Sequence, residues 1–311
     1  MKVKMLGVNS AFAVGTYNED GSYNPKWQSN FLLEFQNGVF GRGKSILKNP
    51  YGTLRLLIDQ GGDARHGLKF FNLTPSNVHI NYFSHCHSDH VGGTECLGLS
   101  TFFNPFLNEF KKAGLENYDY NILNYLSQHG EVPNHWKPIA LGESEVLKDV
   151  WKAFSPGLDT LQGVRRPTLQ TYFDVINMDE TEEDFWIEEE VDGVKRRWVF
   201  YTVESTHVVS GTKHMPSFGL FFQTEGKKLY FPTDTMLMMP PSMKHFYDEA
   251  DFIYQDTETG FKSGVHSHID DIKKVDPSIK KKLYLYHYNE EPEVEEGEFA
   301  GVLKRGEIHE Y

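Results

Sequence analysis

The stretch Ser84-His85-Cys86-His87-Ser88-Asp89-His90 decides how the rest of the sequence is interpreted. It has the pattern H-x-H-x-D-H and directly follows residues 78–83, whose alternation is typical of a β-strand. Neutral imidazole nitrogens and carboxylate oxygens are the ligands that a borderline cation such as Zn²⁺ prefers. In a sharp turn after the strand, the H-x-H pair can face one point while the D-H pair faces a second. The motif therefore predicts two neighbouring metal sites that share a bridging water, rather than a histidine-rich surface loop.

The composition is typical of a globular protein with one or two domains. The 311 residues are 39% hydrophobic and 14% aromatic, which is enough for a large core. No stretch approaches the roughly 20 apolar residues of a membrane span, and residues 1–7 alternate like a first strand rather than a signal peptide. Cys86 and Cys96 are the only cysteines, so no disulfide framework supports secretion, and we expect a cytoplasmic protein.

The net charge of −13 argues against a long nucleic acid as the partner. Such partners usually meet a basic protein face, because phosphate contacts supply most of the affinity. An acidic chain can still bind RNA through a local basic patch, so RNA is disfavoured and not excluded. The charge favours a small substrate, with bound metal ions supplying the positive charge that a phosphate group requires.

Strand patterns recur along most of the chain and predict an α/β fold rich in β-structure. The segments with this pattern are 3–8, 31–35, 54–59, 78–83, 185–187, 197–206, 218–222, 228–231, 252–256 and 283–286. Short helices are expected at 65–71 and 269–274, and Gly92-Gly93 is expected to open another. The pair Asp192-Gly193 predicts a hairpin turn.

Residues 101–166 differ from the rest, because they are rich in aromatics and only loosely helical in period. No Gly/Ser-rich or Pro-rich linker bounds them, so we interpret them as a helical insertion or lid within a single domain of residues 1–311. Aromatic side chains in this segment can stack on a nucleobase. A hydrophobic cover over the core is the favoured role for most of them.

Three further strand ends carry ligand-type residues, namely His207, Asp234 and His287. With the 85–90 motif they form a set of five histidines and two aspartates, about the number that two metals sharing a carboxylate require. His214 competes with His207, but His207 directly follows the long predicted strand. Two divalent ions in such a site lower the pKa of a bridging water and make hydroxide available for attack on a phosphate ester.

Two residues near the motif have supporting or neutral roles. Asp59 ends the strand predicted at 54–59 and precedes Gly61-Gly62, which allow a tight turn. It would then lie beside the 85–90 motif, where a carboxylate can orient a ligand imidazole, with a turn cap as the alternative. Cys86 stands between two ligands, and alternation is expected to point it away from the metals.

The chemistry also requires a proton donor for the leaving oxygen, and His266 and His268 are the candidates. Both directly precede the helix expected at 269–274, and either can donate a proton at neutral pH. One of them can instead cap that helix. The candidate catalytic residues are these two histidines, His266 and His268, together with Asp89 of the 85–90 motif.

Over nearly its whole length the chain resembles the metallo-β-lactamase superfamily. The resemblance rests on Leu6-Gly7, Ser10-Ala11-Phe12, Gln28-Ser29-Asn30-Phe31-Leu32, Ile58-Asp59, the 85–90 motif, His207, Asp234 and His287. It implies an αββα sandwich with two divalent metal ions at one edge, Zn²⁺ being the expected metal and Mn²⁺ the alternative. The implied ligand sets, bridged by Asp234, are His85, His87 and His207 for one metal and Asp89, His90 and His287 for the other.

Within the superfamily the chain is similar to the ribonuclease Z-like phosphodiesterase branch. Residues 264–271 resemble the G-H-S-T motif of that branch and match its histidine to His266. The chain departs from the motif at Val265 and at His268, so both histidines stay candidates. Residues 208–233 are too few to hold the tRNA-gripping arm of true ribonuclease Z as well as two strands.

The anti-Pycsar type of phosphodiesterase is the subfamily that the chain resembles more, through Met215–Leu220 and Tyr284–Tyr288. This resemblance implies a homodimer that opens small cyclic nucleotides such as cyclic CMP and cyclic UMP. The leading hypothesis is therefore a dinuclear metal-dependent phosphodiesterase for these substrates. The alternatives are an RNA-processing endonuclease of the ribonuclease Z type and a metalloprotein that sequesters a nucleotide without cleaving it.

Overall fold

Two β-sheets lie face to face in the computed structural model, which describes residues 1–50, 52–103, 134, 137–161, 164–236 and 241–311. The strands, in chain order, are β1 Lys2–Gly7, β2 Thr16–Tyr17, β3 Tyr23–Asn24, β4 Asn30–Phe35, β5 Val39–Arg42, β6 Ser45–Lys48, β7 Leu54–Ile58, β8 Ile80–Tyr82, β9 Ile139–Gly142, β10 Asp174–Asn177, β11 Phe185–Val191, β12 Val194–Glu204, β13 Val209–Ser210, β14 Lys213–His214, β15 Phe218–Thr224, β16 Lys227–Thr233, β17 Phe252–Asp256, β18 Leu283–Tyr286, β19 Gly301–Val302 and β20 Ile308–Glu310. The first sheet has the order β10-β9-β8-β7-β4-β1-β20, and the second has the order β19-β18-β17-β16-β15-β12-β11-β5-β6.

Helices cover the outer faces of both sheets. The described α-helices are α1 Ala64–Phe70, α2 Ser88–Val91, α3 Thr94–Phe103, α4 Ser144–Leu158, α5 Leu169–Tyr172, α6 Pro241–Glu249, α7 Ile269–Ile272 and α8 Pro277–Lys280, and short 3₁₀ turns span Pro75–Asn77 and Met178–Glu180. Among these described helices, none has the length and apolar character that crossing a lipid bilayer requires. The architecture is the αββα sandwich expected from the resemblance.

Alternation along the central strands sorts side chains into an inner core and three outer clusters. In β4, Leu33 points between the sheets, whereas its neighbour Leu32 points outward and clusters with Leu68 of α1. In β16, Phe231 points between the sheets, whereas Tyr230 joins the cluster formed with α6 and α8. Each central strand is therefore buried on both faces, and the sheets have little freedom to slide.

The predicted hairpin turn is confirmed between β11 and β12. Asp192 and Gly193 have φ angles of 52° and 79°, the two positive values that a type I′ turn requires. The strands pair in continuous register from Val191 and Val194 to Phe185 and Phe200.

Part of the segment 101–166, which was predicted to form an insertion, lies within the sandwich. Residues 139–142 form β9, which pairs with β8 and β10 inside the first sheet, and 144–158 form α4 against it. This part belongs to the sandwich. A four-residue strand that is buried on both faces has no alternation, so its sequence lacks the usual strand pattern. Residues 104–133 lie outside the described residues, together with most of the aromatics considered for base stacking. The single-domain organisation stays a prediction.

Replacing Phe222 tests the inner core. This fully buried ring packs between Phe200 and Phe231, with centroids 5.1 and 5.7 Å away. We expect Phe222→Ala to lower the free energy of unfolding by about 3–5 kcal/mol, because it removes a buried ring and leaves a cavity. Urea denaturation measures this, with exposed Val194→Ala as the control that should change stability by less than about 0.5 kcal/mol. Equal effects of the two substitutions would contradict the described core.

Candidate metal centre

Strands of both sheets end at one edge of the sandwich and deliver the predicted ligands there. In the first sheet β7 and β8 run parallel. In the second sheet β16, β17 and β18 run parallel, and β12 shares their direction because β15 is antiparallel to both β12 and β16. The ligand-type residues at or just beyond these strand ends are Asp59, His85, His207, Asp234, Asp256 and His287.

Three histidines point ring nitrogens at one position beside Asp234. The Nδ1 atom of His87 lies 3.2 Å from Nε2 of His85 and 3.0 Å from Nε2 of His207. Asp234 Oδ2 lies 3.8 Å from His85 Nε2 and 3.7 Å from His207 Nε2. One ligand atom of each residue lies within 4.8 Å of the other three, so the four side chains are close enough to hold one cation.

A second group of buried side chains lies on the other side of Asp234. Asp89 Oδ2 is 3.2 Å from His287 Nε2 and 3.3 Å from His90 Nε2. Asp234 Oδ2 is 3.1 Å from His90 Nε2 and 3.4 Å from His287 Nε2. The structure thus brings together all seven residues predicted as ligands, with Asp234 shared between the two groups. Their role as metal ligands stays a prediction.

The electrostatics of the cluster fit bound cations. Burial lowers the pKa of His85 and His87 and lowers that of His207 to about 4, which keeps these imidazoles in the neutral form that binds metal. Burial opposes the charge of Asp234, but its histidine neighbours hold the pKa of its carboxyl well below the usual range. Its buried Oδ1 has no hydrogen-bond partner among the described residues. A buried carboxylate oxygen of this kind is an expected metal ligand.

Asp59 holds two of the predicted ligand rings through a short relay. Its Oδ2 lies 2.7 Å from Nδ1 of His90 and accepts the hydroxyl proton of Ser84 at 2.8 Å, and its Oδ1 accepts the Ser84 backbone N–H at 3.0 Å. The Ser84 hydroxyl oxygen in turn lies 3.0 Å from Nδ1 of His85. Protons on both Nδ1 atoms leave both Nε2 atoms as acceptors toward the centre. Of the two roles considered for Asp59, the structure supports the orienting one.

The two candidate proton donors occupy different environments. His266 lies beside the cluster, with Nδ1 3.0 Å from Asp256 Oδ2 and 3.7 Å from Asp234 Oδ2. Its burial disfavours charge, but Asp234 and Asp256 outweigh burial and raise the pKa of His266 to about 9. A protonated imidazole at this place is a competent proton donor.

His268 caps a helix, the alternative role considered for one of the two histidines, and its role in catalysis stays a prediction. Its Nδ1 accepts the backbone N–H of Asp270 at 3.2 Å, and its Nε2 lies 3.1 Å from the carbonyl oxygen of Gly260. Both ring nitrogens are therefore used at the N-terminus of α7, where a capping acceptor is needed.

The sequence reasoning missed Asp256, which orients the His266 ring. This carboxylate is fully buried at the end of β17 and also accepts a hydrogen bond from Gln255 Nε2 at 2.8 Å. No motif surrounds it. The available signal was its position at the end of a buried strand, the same position that marks Asp59 and Asp234.

The residues set aside in the sequence analysis lie away from the cluster. His214 is exposed in the hairpin of β13 and β14. Cys86 packs with the apolar cluster beneath α4, as alternation predicted, and burial raises the pKa of its thiol.

A cavity of about 310 Å³ opens directly onto the second ligand group. Its walls come from three chain segments and include Ser10, Phe12, Glu258, Phe261, His266 and Asn289. His287 also reaches the cavity, so a molecule within it touches a predicted metal ligand.

The family of the chain follows from a match over most of its length. The family model described as anti-Pycsar protein Apyc1 matches residues 44–115 and 114–309. The chain belongs to this family. A curated Apyc1 from Bacillus phage 010DV004 is 23% identical over 300 residues, covering 94% of this chain and 91% of the phage protein.

Solved structures share the fold of this Apyc1-family chain. A diphosphatase of the PhnP family has a TM-score of 0.60 at 14% identity, covering 100% of this chain and 97% of its own. The metallo-β-lactamase fold protein YhfI of Bacillus subtilis has a TM-score of 0.53 at 13% identity, covering 99% and 98%. The fold is therefore that of the metallo-β-lactamases. Family membership and the histidine–aspartate cluster together support a metal-dependent hydrolase.

Replacing Asp59 by Asn tests the relay. An amide has a single acceptor oxygen, so it cannot accept from the Ser84 N–H, the Ser84 hydroxyl and His90 together. Asn also tolerates the left-handed backbone of this position, where φ is 59°. We expect about 10- to 100-fold weaker metal affinity in a chelator competition, because the ligand rings lose their orientation. The exposed Asp248→Asn control should bind metal like the original protein, and equal affinity of the Asp59 variant would refute the relay.

Proposed function

We propose that this protein is a dinuclear metal-dependent phosphodiesterase that hydrolyses small cyclic nucleotides of the cyclic CMP and cyclic UMP type. The observation that carries the proposal is Asp234, whose Oδ2 lies within 3.8 Å of ring nitrogens from both predicted ligand groups. The His266 ring lies next to both groups, with its Nδ1 3.7 Å from Asp234 Oδ2 and 3.0 Å from Asp256 Oδ2. Membership of the Apyc1 family supports a nucleotide as the substrate.

The residues present fit a pair of divalent cations, with Zn²⁺ preferred and Mn²⁺ as the alternative. His85, His87 and His207 would hold one cation, and the remaining predicted ligands, Asp89, His90 and His287, would hold the other, with Asp234 between them. When bound, such a pair activates water and neutralises the charge of a phosphate group.

The protein side of the reaction centres on His266. Asp256 fixes the ring through Nδ1, which leaves Nε2 for the substrate. Hydrolysis adds water across one P–O bond of the cyclic ester, and the released ribose oxygen takes its proton from His266. Burial of the surrounding side chains excludes bulk water from competing hydrogen bonds.

The region between His207 and Asp234 favours a small substrate over RNA. Residues 208–233 are all described, and they form the β13–β14 hairpin and the strands β15 and β16. These elements leave too few residues in this segment to form an RNA-binding arm. The net charge of −13 points in the same direction.

A substrate panel tests the proposed function. The protein loaded with Zn²⁺ or Mn²⁺ should convert cyclic CMP and cyclic UMP to linear monophosphates, as followed by chromatography. Chelation should abolish turnover and added metal should restore it, since the cations supply the activated water. Cleavage of a precursor tRNA without turnover of cyclic nucleotides would favour the endonuclease alternative. Stoichiometric retention of intact nucleotide would favour sequestration.

Paired alanine substitutions test the proton donor. We expect His266→Ala to lower kcat for cyclic CMP by about 10²- to 10⁴-fold, because the ribose oxygen leaves poorly without a proton. With bis(4-nitrophenyl) phosphate, whose leaving group needs no proton, the loss should largely disappear. His268→Ala should keep kcat and lower the free energy of unfolding by about 1 kcal/mol through the lost cap. A larger kcat loss for His268→Ala than for His266→Ala would reverse the assignment.

We also propose that the protein is a homodimer, as its resemblance to anti-Pycsar phosphodiesterases implied. The mass measured by light scattering on the purified protein tests this, and a monomeric mass at micromolar concentration would contradict it.

A further inference from the structure

We infer that Phe12 and Phe261 form a clamp that holds the nucleobase of the substrate beside the metal centre. This inference rests on the proposed function and extends it to base recognition. Both rings line the cavity of about 310 Å³ that also reaches His266 and His287. A ligand with its phosphate beside His266 and His287 therefore reaches the part of the cavity that these two rings line.

The exposure of these two rings needs an explanation. Phe12 is 86% exposed and Phe261 is 85% exposed, the highest values for large hydrophobic side chains in the part of the chain that the structure describes. A single exposed apolar residue is ordinary, but exposed aromatics that share one cavity mark a binding site. An aromatic ring offers a flat face on which any nucleobase can stack.

Hydrogen bonds hold the three wall segments of the cavity in place. The Ser10 hydroxyl donates to Asn289 Oδ1, and the Thr259 hydroxyl donates to the carbonyl oxygen of Glu290 at 2.8 Å. Glu258 Oε2 accepts the backbone N–H of Ser263 at 2.8 Å. The segments that carry Phe12 and Phe261 are thus both tied to the chain that follows β18, so the clamp is positioned before a ligand binds.

The polar groups of the same cavity suit the edge of a base. Glu258 is 9% exposed, and its carboxylate can accept an N–H group such as the amino group of cytosine or the imide of uracil. Asn289 uses its Oδ1 to accept from Ser10, which leaves its NH₂ group to donate to a base carbonyl. The volume lies at the lower end of ligand pockets, about 300–1,000 Å³, and suits one nucleotide rather than a polymer.

Two substrates that differ only in the base test the clamp. They are 3′,5′-cyclic CMP and the 3′,5′-cyclic phosphate of 1-O-methylribose, which has no base. For Phe12→Ala and Phe261→Ala we expect KM for cyclic CMP to rise about 10- to 100-fold with kcat little changed. Neither variant should change the kinetics of the base-free substrate. The separate variant Phe261→Tyr should keep the low KM of the original protein, because a tyrosine ring also has a face for stacking. Phe103→Ala, which removes a half-exposed ring outside the cavity, should leave both substrates unaffected.

Calorimetric binding of cytidine gives a readout that does not depend on turnover. The double Phe12→Ala, Phe261→Ala variant should bind cytidine at least about tenfold more weakly than the original protein. Unchanged cytidine affinity, or equal losses with cyclic CMP and the base-free ester, would overturn the clamp. A change in the mass of the protein in solution with unchanged KM would instead place these rings between two copies of the chain. If the original protein turned over no cyclic nucleotide but bound cytidine through these rings, the proposed function would fail while the clamp stood.

Discussion

The carboxylate of Asp234 is the constraint on which the whole centre depends. It is buried, and its Oδ2 lies within 3.8 Å of ring nitrogens from His85, His90, His207 and His287 as well as from His266. A buried charge that lacks compensation costs several kcal/mol. The fold compensates by bringing strand ends from both sheets to this one oxygen. The sandwich and the proposed chemistry are therefore two results of the same arrangement.

Unusual backbone conformations make the convergence possible. Asp59 and His287 each directly follow a strand and have φ angles of 59° and 64°, and Thr233, the last residue of β16, has a φ angle of 59°. Such conformations are unfavourable for residues with a side chain, and they persist where the surroundings determine them. Gly61 contributes through its size, because a Cβ there would lie 2.0 Å from the carbonyl oxygen of Asp89. The glycine lets the Asp59 turn pass directly beneath the histidine motif.

The sequence allowed the cluster of histidines and aspartates and most strands to be predicted, for reasons of local chemistry. Imidazoles and carboxylates seldom follow strands by chance in such numbers, so the strand ends pointed to one site. The interior strand β9 was missed because burial on both faces removes alternation. The choice between His266 and His268 depends on the path of the loop before α7. There a bridge between Glu258 and His268 places His268 in the cap and turns His266 inward. Contacts between distant segments decide that path, and no local pattern encodes them.

The bond between His207 and the loop that carries His266 has a further consequence. His207 Nδ1 lies 2.8 Å from the carbonyl oxygen of Val265, so a ring predicted to bind metal is hydrogen-bonded to the residue next to His266, the proposed proton donor. Displacement of either element would disturb the other. We therefore expect the loop around Val265 to tolerate little change in length. We expect insertions or deletions near Val265 to lower the activity as well as to change the substrate selectivity. Changes in selectivity alone should arise more readily in the cavity wall around Phe12.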